Sequence, residues 1–373
     1  MAGQPDCKRE PKRLVTQVVG PAEGISAAAA LLAAGEVVAL PTETVYGLGA
    51  AALEASACAK IFEAKDRPLS DPLIVHLPSR DWLDQVAEVC ETASRLAEHF
   101  WPGPLTLVLP RRSLVPDLVT AGEETVAVRM SSHPIFQAVL QAYGKPVAAP
   151  SANRFGRISP TSAEDVVAEL GGRIPLVVDG GPCAHGVEST IVLVREDELH
   201  ILRHGPVTAE ELARFGTVRG RVAGVSTPGG LASHYAPRTP LVIGEAHATA
   251  AEEHLRKLHH TTGGTGVPPV RKLSIAQKTV QHTGGTPVPP VDLHAGNCPS
   301  VGVGLLSWRS AGVGFQHVEF LSKTQDLREA ATNLYGAMRR LDAAGLELII
   351  AEPVPETGLG AAIMERLRKA AAR

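Results

Sequence analysis

The stretch VVALPTETVYGLGA, residues 37–50, decides how the rest of the chain is read. It opens as an apolar run, breaks at Pro41, and passes through Thr42, Glu43 and Thr44 before reaching Gly47 and Gly49. Such a run reads as a short buried strand whose end carries polar side chains to the rim of a sheet. The same pattern recurs outward from it. Strand-like runs fall at 37–40, 73–76, 105–109, 125–129, 146–149, 175–179, 189–194 and 199–203, with helical patterns between them. This alternation predicts an α/β or α+β domain.

Gly47, Gly49 and Ala52 also match G-x-G-x-x-A, the dinucleotide fingerprint. In that motif the glycines follow the strand almost at once, whereas here PTETVY intervenes, so the expected structure is a glycine turn leading into a helix over 53–64. Further on, DWLDQVAEVCETASRLAEHF sets Leu83, Val86, Cys90, Ala93 and Ala97 at helical spacing, predicting one amphipathic helix. Thr161 with Glu164 and Thr208 with Glu211 have the Thr-x-x-Glu spacing of a capping box, in which a hydroxyl and a carboxylate satisfy orphaned backbone donors.

With 373 residues, 44% hydrophobic and 20% charged, the chain is long enough for two globular domains and lacks the signature of disorder. A net charge of −3 and a pI near 6.5 argue against a protein that holds nucleic acid mainly by a general basic field, and leave room for a local basic patch. Neither a signal-peptide apolar core nor a membrane-length apolar run occurs, so the sequence predicts a cytoplasmic protein with no membrane partner. Cys7, Cys58, Cys90, Cys183 and Cys298 are odd in number and form no C-x-x-C, which suggests reduced thiols rather than disulfides or a zinc site.

From Arg219 to Pro240 the chain is rich in Gly, Pro and Ser and reads as a linker. Beyond it, apolar runs at PLVIG, VGVGLLSW, VEFL and LELIIAE, with helices near 248–258, 325–343 and 360–372, predict a second, smaller α/β unit. TGGTGVPPV at 262–270 and TGGTPVPPV at 283–291 are near-duplicates without core-forming residues, so 260–297 reads as a flexible surface insertion.

Polar clusters supply the candidate chemistry. Lys65 and Arg67 in KDRPLSDPLIVH place two cations on a short irregular segment, suited to a polyphosphate, with Asp71 and His76 following. APSANRFGRISPT carries Ser151, Asn153, Arg157 and Ser159 ahead of a capped helix, where backbone donors favour anions. Neither a G-x-S-x-G elbow nor a Walker A loop is present, which disfavours a serine hydrolase and the commonest triphosphate cradle.

Taken in order, PTETVYGLG, KDRPLSDPLIVH, FWPGPLTLVL, TVAVRMSSHP, AAPSANRFGRISPT, DGG with VESTIV, and ILRHGPV resemble the YrdC-type domain of the L-threonylcarbamoyladenylate synthase family. STPGGLASHYAPRTPL and the C-terminal run are similar to its longer, two-domain branch. The resemblance implies a twisted, largely mixed sheet with an open, positively lined concavity over 15–208, a linker or lid over 209–239, and a Rossmann-like domain over 240–373. It also implies a nucleotidyltransferase that condenses L-threonine, bicarbonate and ATP to threonylcarbamoyl-AMP and pyrophosphate, for tRNA threonylcarbamoyladenosine modification.

On the same resemblance, the K-x-R and S-x-N signature falls on Lys65, Arg67, Ser151 and Asn153. Threonine contacts fall on Thr44, His76, Arg129, Ala149 and Ser189. Nucleotide contacts fall on Arg67, Asp71, Thr125, Ser151, Ser159, Arg203 and Tyr235, with Asp71 replacing the usual asparagine. Mg2+ is expected to arrive with ATP, because no carboxylate cluster resembles a dedicated metal cage. The implied partners are the downstream tRNA threonylcarbamoyl transferase machinery and, weakly, tRNA. Glu43 receives no role and is expected to face outward. Two other classes, an RNA-binding module without catalysis and a nicotinamide-dependent oxidoreductase, rest on a basic concavity and on GLGAAA alone; the scarcity of aromatics disfavours the first.

Overall fold

The computed structural model describes residues 14–222, 224–225, 227–229, 234–244, 302–309, 312 and 314–372. The first unit contains β1 (Gln17–Val19), β2 (Val38–Leu40), β3 (Gly47–Ala51), β4 (Ile74–His76), β5 (Leu105–Pro110), β6 (Thr125–Arg129), β7 (Val147–Ala148), β8 (Leu176–Val178), β9 (Thr190–Arg195), β10 (Glu198–Arg203) and β11 (Thr217–Arg219). Its helices are α1 (Pro21–Ala33), α2 (Ala55–Lys65), α3 (Leu83–Val86), α4 (Glu91–Phe100), α5 (Asp117–Thr120), α6 (Pro134–Tyr143), α7 (Ala163–Leu170) and α8 (Ala209–Leu212). The strands form one mixed sheet in the order β1-β8-β2-β3-β7-β4-β6-β5-β9-β10-β11.

Alternating side chains send Val38, Leu40, Val147, Leu176 and Val178 to a face covered by α1 and α6, through Ala28, Leu32, Phe136 and Val139. Ala39, Ala148 and Val177 point the other way, into the largest core. Across β4, β6, β5, β9 and β10 that core continues through Val75, Val128, Leu107, Val192 and Leu199. Their alternates Ile74, Ala127, Val108, Ile191 and Leu202 instead form a small cluster on which Val225 of the connecting segment packs. The site lies on this second face.

Several expectations change. Gly47 and Gly49 lie in β3, antiparallel to β2, and not in a turn. A Cβ on Gly49 would stand 3.0 Å from a Val147 methyl, so the glycines serve the close approach of two strands. With no helix starting at the glycines, the dinucleotide reading loses its basis.

The helix expected over 81–100 is broken: α3 ends at Val86 and α4 begins at Glu91, with Cys90 exposed. Here the backbone pairs with the end of β5 instead, Glu88 N donating to Pro110 O at 2.8 Å and Arg112 N to Val86 O at 3.0 Å. The first capping motif shifts by one residue, with Ser162 Oγ accepting from Asp165 N. The second is present as read, on Thr208 and Glu211. Residues 209–219, assigned to the linker from sequence, contain α8 and the sheet's last strand, parallel to β10. The helix near 248–258 and the insertion over 260–297 lie outside the described residues.

The second unit is a four-stranded parallel sheet, β12 (Leu241–Ile243), β13 (Val303–Ser307), β14 (His317–Phe320) and β15 (Leu348–Ala351), in the order β12-β15-β13-β14. Helices α9 (Leu327–Ala343) and α10 (Leu359–Ala371) share one core with Leu306, Ile349 and Ala351 of this sheet. Val45, Ile158 and Val187 of the first unit belong to the same core, so the interface between the units is continuous hydrophobic interior.

Candidate active site

A cavity lies where β2, β4, β6 and β10 end. Thr42, Thr44, Arg67, His76, Arg129, Ala149, Ser151, Glu188, Arg203, Gly229, His234 and Tyr235 line it. Pro41 ends β2, and the Thr42 hydroxyl then closes a local turn by donating to Val45 O at 2.6 Å and accepting from Thr44 N at 3.1 Å. This sets Thr44 Oγ1 2.9 Å from Thr42 Oγ1 and 3.1 Å from Arg129 Nη2.

Glu43 is buried, not outward-facing. It pairs with Arg129 at 2.7 Å and accepts from the Ser131 hydroxyl. Burial alone would raise its carboxyl, but the Arg129 charge and the Ser131 and Arg129 hydrogen bonds outweigh it and hold the pKa at about 2. At the neighbouring strand ends, Ser189 Oγ is 2.8 Å from Thr106 Oγ1, and Arg203 donates to Ser189 Oγ and Ser189 O at 3.0 Å each. Arg67 donates to Asp71 O at 3.1 Å and Pro72 O at 2.7 Å, so backbone carbonyls fix its fork. Asp71 Oδ2 lies 3.0 Å from Arg67 Nη2 as an ion pair without hydrogen-bond alignment, and burial raises the Asp71 pKa.

Other predicted residues stand behind the cavity or away from it. Lys65 is fully buried and donates to Ser151 O at 2.5 Å and to Asn153 O, so it shapes the 151–153 loop. A buried ammonium needs such acceptors, and burial lowers its pKa. Asn153 donates to Arg154 O and Arg157 O, at 2.8 Å each. Ser159 donates to Glu188 at 2.6 Å. Thr125 begins β6 at the end opposite Arg129 and does not line the cavity. Ala149 lines it but gives its amide to Ile74 O at 2.9 Å. Glu188 was not predicted, although it directly precedes Ser189 in VESTIV, and neither was His234, which precedes Tyr235.

Three guanidiniums, Arg67, Arg129 and Arg203, thus line one space, and among the described residues Arg203 forms no ion pair. Asp71 Oδ2, His76 Nδ1, His234 Nδ1 and Tyr235 Oη are buried without hydrogen-bond partners. Orphaned polar atoms are costly in a packed interior and mark a place for a polar ligand.

His76 and His234 also set an acid response, since burial pushes each imidazole down to about 3. Unfolded imidazoles take up protons below about 6.5, so the stability these groups contribute is complete above that pH and is lost as pH falls toward 3. Two such groups give a slope approaching about 2.7 kcal/mol per pH unit between roughly pH 6 and 4. Glu43 and Glu188, both held at about 2, add a loss that begins as pH falls into the ordinary carboxylate range and continues toward 2. Denaturation midpoints measured from pH 7 to 4 should fall throughout, less steeply in a His234→Gln variant; a flat profile would contradict the neutral, buried assignment.

The mixed sheet with a guanidinium-lined cavity at its strand ends, roofed by a segment leading to a parallel-sheet domain, defines a two-domain α/β protein built to hold a polyanionic small molecule. Residues 30–205 match the Sua5/YciO/YrdC family, described as "Telomere recombination", and residues 207–372 match "Threonylcarbamoyl-AMP synthase, C-terminal domain". The threonylcarbamoyl-AMP synthase of Pyrococcus abyssi is 38% identical, covering 93% of this chain and 93% of the relative. That of Bacillus subtilis is 41% identical, covering 93% and 92%. Among solved structures, P. abyssi Sua5 complexed with L-threonine superposes with a TM-score of 0.75 at 35% identity, covering 96% of this chain and 97% of that one. The chain belongs to the threonylcarbamoyl-AMP synthase family in its two-domain form.

Proposed function

We propose that this protein is an L-threonylcarbamoyladenylate synthase, a nucleotidyltransferase that joins L-threonine, bicarbonate and ATP. The observation that carries this reading is the convergence of three guanidiniums and several orphaned polar atoms on one cavity at the strand ends. The threonine amine forms a carbamate with bicarbonate, releasing water. A carbamate oxygen then attacks the α-phosphorus of ATP, and the bond to pyrophosphate breaks.

Thr44, His76, Arg129 and Ser189 take the amino acid, with Glu43 fixing the Arg129 fork. Arg67, Ser151 and Arg203 take the nucleotide, and Tyr235 covers it. Lys65 and Asn153 act through the loop they shape. The reaction is dominated by positioning and charge neutralisation, which preorganised guanidiniums supply without reorganising.

Among the described residues no group of three metal-ligating side chains occurs. Glu43, Asp71 and Glu188 are already committed to arginines. Mg2+ therefore fits as part of the substrate, held on phosphate oxygens. Delivery of the product to a tRNA threonylcarbamoyl transferase, weak tRNA contact and a cytoplasmic location belong to the same proposal. No helix among the described residues is long and apolar enough to cross a membrane.

Pyrophosphate release from ATP should require both L-threonine and bicarbonate. Serine should be a poor substitute, by about 10–200-fold, the range one methyl-sized group commands in a pocket. Release that ignores either co-substrate would contradict the proposal, and equal use of serine would contradict the threonine pocket.

A further inference from the structure

Among the described residues the largest fully buried side chain is a charge in the final helix. Arg366 of α10 is 0% exposed. Its Nε donates to Glu188 at 2.9 Å, its Nη1 donates to His204 O at 2.7 Å, and its guanidinium carbon lies 5.4 Å from the centre of the Tyr235 ring. Tyr335 of α9 stacks on the same ring at 5.8 Å and donates its hydroxyl to Glu188 at about 2.9 Å. Tyr235 is thereby flanked by a cation and an aromatic, both from the second unit, while its ring lines the cavity in the first.

The next turn of α10 grips the backbone around Tyr235. Lys369 Nζ donates to Gly229 O at 2.7 Å, and Lys369 O accepts from His234 N at 3.2 Å. Gly229, at φ +72°, lies against the Tyr235 hydroxyl, where a Cβ would stand 2.5 Å from Oη. Tyr235 itself holds φ +62°, a conformation unusual for a bulky residue, which persists when the surroundings over-determine it. Cation–ring contact is strongest where water is excluded, and a buried ion pair is most costly when one partner is removed.

We propose that Arg366 and Lys369 are positioning residues for the reaction. From the last helix of the second unit they hold Gly229, His234 and Tyr235 against the cavity beside Arg203, and so set how tightly the nucleotide and the adenylate product are retained. The inference rests on the assignment of Arg67 and Arg203 to the nucleotide. Arg203 Nη1 donates to Pro228 O at 3.2 Å, directly beside Gly229, which joins the gripped segment to that end of the site. At the threonine end it is Glu43 that holds Arg129 beside Thr44.

The test uses the full-length enzyme with Lys369→Met, Arg366→Lys and Arg366→Met. Mg-ATP affinity is measured by calorimetry, and KM is measured separately for ATP and threonine. In Lys369→Met the Mg-ATP Kd and the ATP KM should rise about tenfold, equivalent to about 1.4 kcal/mol. The threonine KM should stay within about twofold, because positioning acts at one end of the site. Arg366→Lys, which keeps the cation but loses the fork, should fall between wild type and Arg366→Met.

Should Arg366→Met not fold, Lys369→Met and Arg366→Lys carry the test alone. Folded Lys369→Met and Arg366→Lys enzymes with wild-type ATP affinity would overturn the proposal, as would an equal rise in both KM values, which is what general loosening produces. A wild-type enzyme that binds Mg-ATP but releases no pyrophosphate with threonine and bicarbonate would instead refute the assigned reaction, leaving the calorimetric comparison to judge the positioning role.

Discussion

Replacing Glu43 with alanine should lower stability by about 3–5 kcal/mol and remove threonine use, because it strands a buried guanidinium. Arg129 and Glu43 are 4% and 7% exposed in their side chains and meet at 2.7 Å, so solvent has little access with which to compensate a lone charge. The same change frees Ser131 and lets Arg129 swing away from Thr44, now 3.1 Å from its Nη2. Glu43→Gln keeps the shape and should retain more stability than Glu43→Ala, but should still raise the threonine KM. Urea unfolding midpoints and threonine-dependent pyrophosphate release give the two readouts. Wild-type stability in Glu43→Ala would mean that the ion pair is not what holds Arg129.

Arg67→Ala should reduce ATP use by about 10²-fold in kcat/KM, the scale set by losing one preorganised donor to a developing charge. Threonine dependence should change little. The variant also strands Asp71, whose side chain is 3% exposed. The double variant Arg67→Ala/Asp71→Asn should therefore be more stable than Arg67→Ala alone, although equally poor with ATP. Asp71→Asn by itself should be tolerated or should tighten ATP. Two backbone carbonyls still fix the Arg67 fork, and the carboxylate that competes with phosphate is gone. Arg67→Ala with normal ATP dependence and lost threonine affinity would reverse the assignment of the two ends of the site.

The strand ends, the polar residues on them and the two-unit organisation were legible because they depend on local patterns. Apolar runs broken by Pro and Gly mark strands wherever the sheet buries both faces, and the ordered motifs identified the family. Thr44, Arg67, His76, Arg129, Ser151, Arg203 and Tyr235 all line the cavity, and Ser189 stands behind it, bonded to Arg203. The local signal failed where pairing partners are distant. Gly47 and Gly49 look like a turn in isolation, but they pair with β2 and lie against Ala149 and Val147, some hundred residues on, as part of a strand. The 81–100 helix has good periodicity, yet backbone pairing with the end of β5 interrupts it.

Charge was the harder part. Lys65 and Arg67 are equivalent as a K-x-R pair in sequence, but one is capped by the carbonyls of Ser151 and Asn153 while the other lines the cavity. Glu43, Glu188 and Arg366 carry no local signal of their roles, because a carboxylate is defined by the cation it meets, and the partners lie 86 and 178 residues away. Most of the strands, the side chains at their ends and the family resemblance were already set by residue type and near-neighbour spacing. Which buried charges neutralise one another, and the reach of the last helix back to the cavity, emerge with folding, because desolvation and Coulomb energy depend on distances that folding alone creates.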